Sequence, residues 1–173
     1  GGKNFSEAGA LSEYLRKKEP EEMQAADACA EEVQENIELL LSEVKKHPDT
    51  KFYFFLPPYS ALWWDSITRS GLYEEYLWSG EQIMTALLSC DNVEVYDFQN
   101  LDSVVTNLDN YMDPIHFSPE INHLICEKIR AGEGRVTKDN LAAVMESTRA
   151  MAQKILQKQI PQLEAEDAFF YEQ

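Results

Sequence analysis

Apolar residues near the start of the chain recur at intervals of three and four positions, and acidic residues fill the opposite face. This periodicity is typical of an amphipathic helix. We expect helix from Ser6 to about Lys46, with a break near Pro20. The apolar positions of the pattern are Val33, Ile37, Leu40, Leu41 and Val44.

Two short apolar runs predict β-strands. Residues 51–56 form an aromatic run that two prolines end, and its lack of alternation indicates cover on both faces, as in a parallel sheet between helices. Residues 93–98 alternate like a second strand. Because residues 59–89 between them have helical patterns, the order predicts a right-handed parallel crossover. The expected fold class is α/β.

Helical patterns continue after the second strand. A helix that opens at Ser118 or Pro119 is predicted to run to about residue 131, where glycines end it. A longer helix follows to about residue 157, and Pro161 interrupts the pattern before an acidic tail.

The chain has no internal repeat and no low-complexity linker, so we expect a single domain over residues 1–173. It divides into a helical region (1–48), an α/β region (49–135) and a helical C-terminal extension (136–173). Only two segments are convincing strands, whereas a parallel sheet hidden on both faces usually needs about four to six. Either the sheet is small, or residues outside this chain complete it.

Acidic residues outnumber basic residues by 31 to 15, which gives a formal net charge of −16. Nucleic acid and anionic membranes are repelled by such a surface, so polyanion binding is excluded as a function. Two interpretations of the acidic residues remain open. They form a solvated surface that keeps the protein soluble, or a docking face for a basic partner.

The three cysteines stand at no spacing typical of a metal site or a disulfide framework. We expect Cys29, Cys90 and Cys126 to be small buried hydrophobic residues, and we predict neither a metal nor a cofactor. His123 and Cys126 lie three apart, but an amphipathic helix explains that spacing. No apolar run approaches the roughly twenty residues that span a bilayer, so we expect any export or anchoring segment to lie outside these residues.

Asp113 and His116 stand three residues apart, after the second predicted strand and just before a helix start. In open α/β sheets, sites are built from the loops that leave the carboxyl ends of strands. A carboxylate this close to an imidazole can accept a hydrogen bond from Nδ1, which leaves Nε2 free as a base. Pro114 restricts the backbone between them and disfavours a regular helix. The spacing alone also allows a structural His116 that packs near the following helix.

Several segments together resemble the SGNH (GDSL-type) hydrolases. Residues 107–119, N-L-D-N-Y-M-D-P-I-H-F-S-P, are similar to the last conserved block of that family, whose D-x-x-H motif holds the catalytic Asp and His. Residues 52–60 resemble a strand and loop of membrane-anchored members, which are related to bacterial proteins that move acyl groups on cell-envelope polymers. Residues 96–98 resemble the strand before the D-x-x-H block. The resemblance spans roughly residues 36–144.

This resemblance implies a partial flavodoxin-like, three-layer fold with a small parallel sheet and many helices. It implies Asp113 and His116 as the catalytic residues and an ester, such as an acylated cell-envelope glycan, as the substrate. An extracytoplasmic location follows, with anchoring through a segment absent from this chain. Tyr59, Ser60 and Trp63 are the expected substrate-binding residues, although ordinary packing also explains the tryptophans.

The chain departs from the family at its start. These residues contain no G-D-S or G-x-S block with the nucleophilic serine, and no segment of them is assigned to the Gly and G-x-N blocks of the oxyanion hole. Ser118 is too near His116 along the chain to replace that serine, and Ser60, which follows a strand end, is the internal alternative.

The expected function is therefore the C-terminal part of a serine esterase or O-acyltransferase that supplies the catalytic Asp and His and is inactive by itself. Its partner would be a second copy or the missing N-terminal part. The alternative function is a non-catalytic acidic interaction domain in which the D-x-x-H motif is a relic.

Overall fold

Eight α-helices and five short strands make up residues 5–172, the part of the chain that the computed structural model describes. This architecture confirms the α/β class. The helices are α1 (Glu7–Ser12), α2 (Ala30–Lys46), α3 (Ala61–Arg69), α4 (Tyr73–Leu87), α5 (Asp102–Val105), α6 (Pro119–Ala131), α7 (Leu141–Lys154) and α8 (Ile160–Ala165). The strands are β1 (Leu15–Arg16), β2 (Phe52–Leu56), β3 (Val93–Asp97), β4 (Arg135–Val136) and β5 (Phe170–Tyr171).

The central sheet has the strand order β2, β3, β4. β2 and β3 are parallel neighbours over their full length, from Phe52 opposite Val93 to Leu56 opposite Asp97. This register confirms the predicted parallel pairing. Because the two strands are parallel and in step, both end at the same edge of the sheet, and the loops that follow them are neighbours.

The sheet is mixed, whereas the sequence predicted a parallel one. β4 runs antiparallel to β3, with Val136 opposite Val95. β4 follows α6 through a tight turn in which Gly132 and Gly134 adopt φ angles of 73° and 79°. A Cβ atom at Gly134 would lie 2.7 Å from the ring of Phe98, so this turn requires glycine.

Helices cover both faces of β3. On one face, Val95 packs with Val44 of α2 and Met84 of α4. On the other face, Tyr96 belongs to a larger cluster that includes Ile125 of α6. Each large apolar side chain buried in this way contributes about 1.5–3 kcal/mol of stability. Packing on two sides therefore fixes the carboxyl end of β3.

β2 is less covered than β3. Its outer edge has no partner strand among residues 5–172. Tyr53 and Phe55 are 50% and 41% exposed, while Phe54 packs on the side of α2 and α4. The prediction of a strand covered on both faces is wrong for β2. On the side of Tyr53 and Phe55, helix α6 packs near Tyr96 of β3 and leaves these two side chains of β2 exposed.

The N-terminal region differs from the long helix predicted for it. α1 ends at Ser12, and β1 then pairs in parallel with β5, with Leu15 opposite Phe170. The irregular segment before α2 is tied to the end of α3, where the Glu21 N–H donates to the Arg69 carbonyl at 2.8 Å. Such tertiary contacts override a helical pattern. β5 likewise ends the C-terminal extension in a strand rather than a helix.

Pro161 does not interrupt the C-terminal helix as predicted. A π-helical turn, Ile155–Gln159, joins α7 to α8, and Pro161 is the second residue of α8. The π-helical turn changes the hydrogen-bond pattern just before Pro161, which has no N–H to donate, so the helical path continues through this proline.

Candidate active site

The D-x-x-H loop, residues 111–117, lies between the 3-10 turn Leu108–Asn110 and α6. An antiparallel bridge between Tyr111 and Phe117 closes its base. The Met112 N–H also donates to the His116 carbonyl at 3.0 Å. The backbone therefore closes the loop on itself and leaves its middle residues at the tip.

Asp113 and His116 are in direct contact at this tip. Nδ1 of His116 lies 2.6 Å from Oδ2 of Asp113. Oδ1 of Asp113 accepts the backbone N–H groups of Ile115 at 2.9 Å and of His116 at 2.8 Å. Pro114 fits the bend because no N–H is needed at that position. The contact expected from the three-residue spacing is present, and we call these two residues the Asp-His pair.

The two side chains of the pair differ in exposure. The His116 side chain is 63% exposed and that of Asp113 is 20% exposed. Nε2 of His116 makes no hydrogen bond or ion pair with any described residue. A neutral ring that donates its Nδ1–H to a carboxylate presents an unprotonated Nε2 to solvent. The arrangement can therefore serve as an oriented general base.

Hydrogen bonding controls the charge of Asp113. Partial burial disfavours its charged form, but the backbone N–H groups of His116 and Ile115 and the His116 ring outweigh that effect and hold the pKa of the Asp113 carboxyl below its ordinary value. The carboxylate is consequently ionised at neutral pH. It is ready to stabilise a positive charge on the imidazole.

Ser60 touches the D-x-x-H loop but is closed to solvent. It is 0% exposed, and its hydroxyl donates to the Pro114 carbonyl at 2.7 Å. A nucleophilic serine needs a free hydroxyl beside Nε2, and a substrate-binding serine needs an accessible one. In the structure the Ser60 hydroxyl is neither free nor accessible, and both roles that the sequence suggested for Ser60 stay predictions.

Tyr59 and Trp63 form an aromatic pair beside Ser60. Their ring centroids are 5.1 Å apart, and Trp63 also meets Tyr76 edge-on at 5.8 Å. Both Tyr59 and Trp63 are partly exposed, whereas Trp64 is 1% exposed and belongs to the core. Of Trp63 and Trp64, only Trp63 keeps the partial exposure that contact with a substrate requires.

A buried polar network at the end of β3 escaped the sequence analysis. Asp97 is 3% exposed, and its carboxylate accepts the Gln99 N–H at 2.7 Å and the Thr148 hydroxyl at 3.1 Å. Tyr76 donates to the Gln99 side chain at 2.7 Å. Burial raises the pKa of Asp97 despite these hydrogen bonds. The sequence carries no signal for this network, because an aspartate at a strand end is usually solvated.

The cysteines are more exposed than predicted. Cys126 is exposed, and Cys29 and Cys90 are partly exposed. Cys29 directly precedes α2, Cys126 lies on an exposed face of α6, and Cys90 follows α4 and packs against the core cluster around Val95. His123 contacts Glu127 at 3.2 Å and is 75% exposed. Within residues 5–172, no group of three histidine, cysteine or acidic side chains is arranged to hold a metal ion.

The helices of the described region are all too short or too polar to cross a membrane. Comparison of the chain with protein-family models, with curated proteins and with solved structures finds no match.

Proposed function

We propose that this chain supplies the Asp-His pair of an SGNH-type serine esterase or O-acyltransferase. The observation that carries the proposal is the 2.6 Å contact between Asp113 and His116, with Nε2 of His116 left open. The parallel ends of β2 and β3, with the D-x-x-H loop beside them, are consistent with a partial flavodoxin-like sheet. The nucleophilic serine would come from polypeptide outside residues 1–173.

In this reaction His116 acts twice. Its Nε2 takes the proton of the serine hydroxyl as the serine oxygen attacks the ester carbonyl, and it then gives that proton to the departing alcohol. Asp113 keeps Nδ1 protonated and stabilises the imidazolium that forms between these steps. Water or a sugar hydroxyl then attacks the acyl-enzyme, and Nε2 again transfers the proton.

The proposed substrate is an ester, with an acylated cell-envelope glycan as the class that the sequence resemblance favours. Tyr59 and Trp63 are the part-exposed aromatic residues that would contact its sugar or acyl group. An extracytoplasmic location, with an anchor outside these residues, belongs to the same proposal. The net charge of −16 disfavours a polyanionic substrate.

The first test uses the chain as it is. We expect no hydrolysis of p-nitrophenyl acetate above background, because an Asp-His pair without a nucleophile forms no acyl-enzyme. Turnover that Ser60→Ala abolishes would overturn this expectation and make Ser60 the nucleophile.

The second test uses the product of the whole reading frame that encodes this chain. We expect labelling by a fluorophosphonate probe and ester hydrolysis, both lost in His116→Asn. His123→Asn is the matched control. His123 lies on α6, directly after the D-x-x-H loop, and is an exposed histidine that contacts the carboxylate of Glu127. Full activity of His116→Asn, or a reading frame that encodes no upstream nucleophilic serine, would refute the proposal.

A non-catalytic interaction domain is the second candidate. The exposed acidic face of α2, which includes Glu31, Glu35 and Glu38, favours a basic partner under this alternative. The same whole-protein assay separates the two functions. An inactive, unlabelled protein supports the interaction domain, and a labelled protein that depends on His116 excludes it.

A further inference from the structure

Three hydrogen bonds tie the D-x-x-H loop to the connection between β2 and α3. The Pro114 carbonyl accepts two of them from Ser60, one from the hydroxyl at 2.7 Å and one from the backbone N–H at 3.1 Å. The third runs in the opposite direction, from the Tyr111 hydroxyl to the Pro58 carbonyl at 2.6 Å. These bonds join segments that are more than fifty residues apart in the chain.

The peptide group that joins Pro114 to Ile115 is held on both sides. Its carbonyl accepts from Ser60, and its N–H donates to Oδ1 of Asp113 at 2.9 Å. Because a peptide group is planar, rotation of this unit would break both contacts together. Ser60 therefore sets the orientation of the N–H that holds one oxygen of Asp113, and the other oxygen holds Nδ1 of His116.

Helix capping does not account for the Ser60 hydroxyl. Ser60 is the residue before α3, where a serine hydroxyl ordinarily accepts an N–H from the first helical turn. Here its side chain makes no capping hydrogen bond. The hydroxyl bonds to Pro114 instead, although Ser60 stands at a position that favours capping.

The anchor is buried, while the histidine that it serves is open. Ser60 and Tyr111 are both 0% exposed, so water cannot replace their hydroxyls. The His116 side chain has few packing neighbours, being 63% exposed. Its orientation consequently depends on the loop backbone and on the carboxylate beside it.

We propose that Ser60 is a positioning residue for the Asp-His pair, which it orients through the peptide group between Pro114 and Ile115, and that Tyr111 supports the same attachment. The catalytic use of the Asp-His pair rests on the proposed function. The positioning itself is a property of the chain and can be measured without catalysis.

The experiment is nuclear magnetic resonance on the chain with labelled histidine and aspartate. Nitrogen shifts of the neutral His116 ring report which nitrogen carries the proton, and carboxyl carbon shifts report the titration of Asp113. We expect the wild-type ring to be protonated mainly at Nδ1. Ser60→Ala should mix the two tautomers and raise the pKa of Asp113 towards its ordinary value, because loss of the shorter of two hydrogen bonds to the Pro114 carbonyl loosens the peptide group whose N–H holds Oδ1.

Ser118→Ala is the control for Ser60→Ala. Ser118 is also buried and lies two residues from His116, but its hydroxyl makes no hydrogen bond to Pro114. Its removal should therefore leave both the His116 and the Asp113 signals unchanged. A second pair of variants repeats the comparison with tyrosines. Tyr111→Phe should shift the signals as Ser60→Ala does, whereas Tyr14→Phe, which loses a buried hydroxyl bond of 2.8 Å to Asp65, should not.

Wild-type signals in folded Ser60→Ala and Tyr111→Phe would overturn the proposal. If Ser60→Ala alone failed to fold, Tyr111→Phe would decide. Unfolding of both would also overturn the proposal, since the hydroxyls would then hold the fold rather than the pair.

Failure of this proposal is distinguishable from failure of the proposed function. If Ser60→Ala changes the signals of His116 and Asp113 but the whole protein stays active with His116→Asn, only the esterase proposal fails. If Ser60→Ala leaves these signals unchanged but His116→Asn abolishes the activity of the whole protein, only the positioning role fails.

Discussion

Arg16 and Asp65 form an ion pair at 2.7 Å in which each side chain is only 4% exposed. The contact is bidentate, since a second guanidinium nitrogen lies 3.2 Å from the other carboxylate oxygen. Tyr14 adds a hydrogen bond of 2.8 Å to Asp65. The pair joins β1 to α3 and so connects the N-terminal segment to the core.

Removal of one partner should be costly. We expect Asp65→Ala to lower the free energy of unfolding by about 3–5 kcal/mol, because Arg16 would remain buried without its main counter-charge. Urea unfolding followed by circular dichroism measures the change. The control is Glu133→Ala, which breaks the surface pair with Lys128 at 2.7 Å and should cost less than about 1 kcal/mol. Equal losses of unfolding free energy in the two variants would show that the buried ion pair stabilises the chain no more than the surface pair does.

Asp113→Asn should destabilise the chain in a pH-dependent manner. The native pKa of Asp113 is lowered, so its stabilising effect is present above the unfolded value of about 3.9 and is lost as the pH falls through the native value. We expect the variant to be less stable by about 1–2 kcal/mol at pH 7, with a difference that narrows below pH 4. Urea titrations across that range test this, with the exposed Asp139→Asn as control. A difference independent of pH would contradict it.

Asp97→Asn should show the opposite dependence. The native pKa of Asp97 is raised, so the folded state holds its proton more tightly than the unfolded state does. Wild-type stability should therefore fall relative to the variant as the pH rises from about 4 through the native value of Asp97. The same urea series measures this trend. Parallel curves for the wild type and Asp97→Asn would mean that the buried carboxyl titrates normally.

The open edge of β2 predicts self-association of the isolated chain. Unpaired strand edges with exposed aromatic residues pair with other strands, and lysine at such an edge discourages pairing. We expect sedimentation velocity to show association that rises with concentration and that Tyr53→Lys weakens. Phe170→Lys, at a 57% exposed aromatic residue of β5, tests the other sheet as a control. A wild-type chain that stays monomeric at every concentration would refute the prediction.

Local signals in the sequence predicted the parts of the fold that depend on neighbouring residues. β2 and β3 follow from apolar runs bounded by turn residues. The contact between Asp113 and His116 was expected from their three-residue spacing, since Pro114 between them restricts the backbone and keeps the two residues close. Both are features that a few consecutive residues determine.

Features that depend on distant residues were not predictable in this way. β1 and β5 are two residues each, too short for any periodicity, and exist because Leu15 meets Phe170. The role of Ser60 depends on a carbonyl 54 positions away, and no pattern around a serine after two prolines indicates that partner. The burial of Asp97 similarly requires α7, which supplies Thr148.

The pairing of β1 with β5 has a consequence for synthesis of the chain. Arg16 bonds to Glu164 and Tyr171, which follow it by 148 and 155 residues, and its guanidinium lies 4.4 Å from the ring centre of Phe169. Because 148 residues separate Arg16 from Glu164, β1 leaves the ribosome well before these neighbours do. Residues 15–16 thus acquire their native surroundings only after residues 164–171 have been synthesised, and these two distant segments complete this part of the fold together.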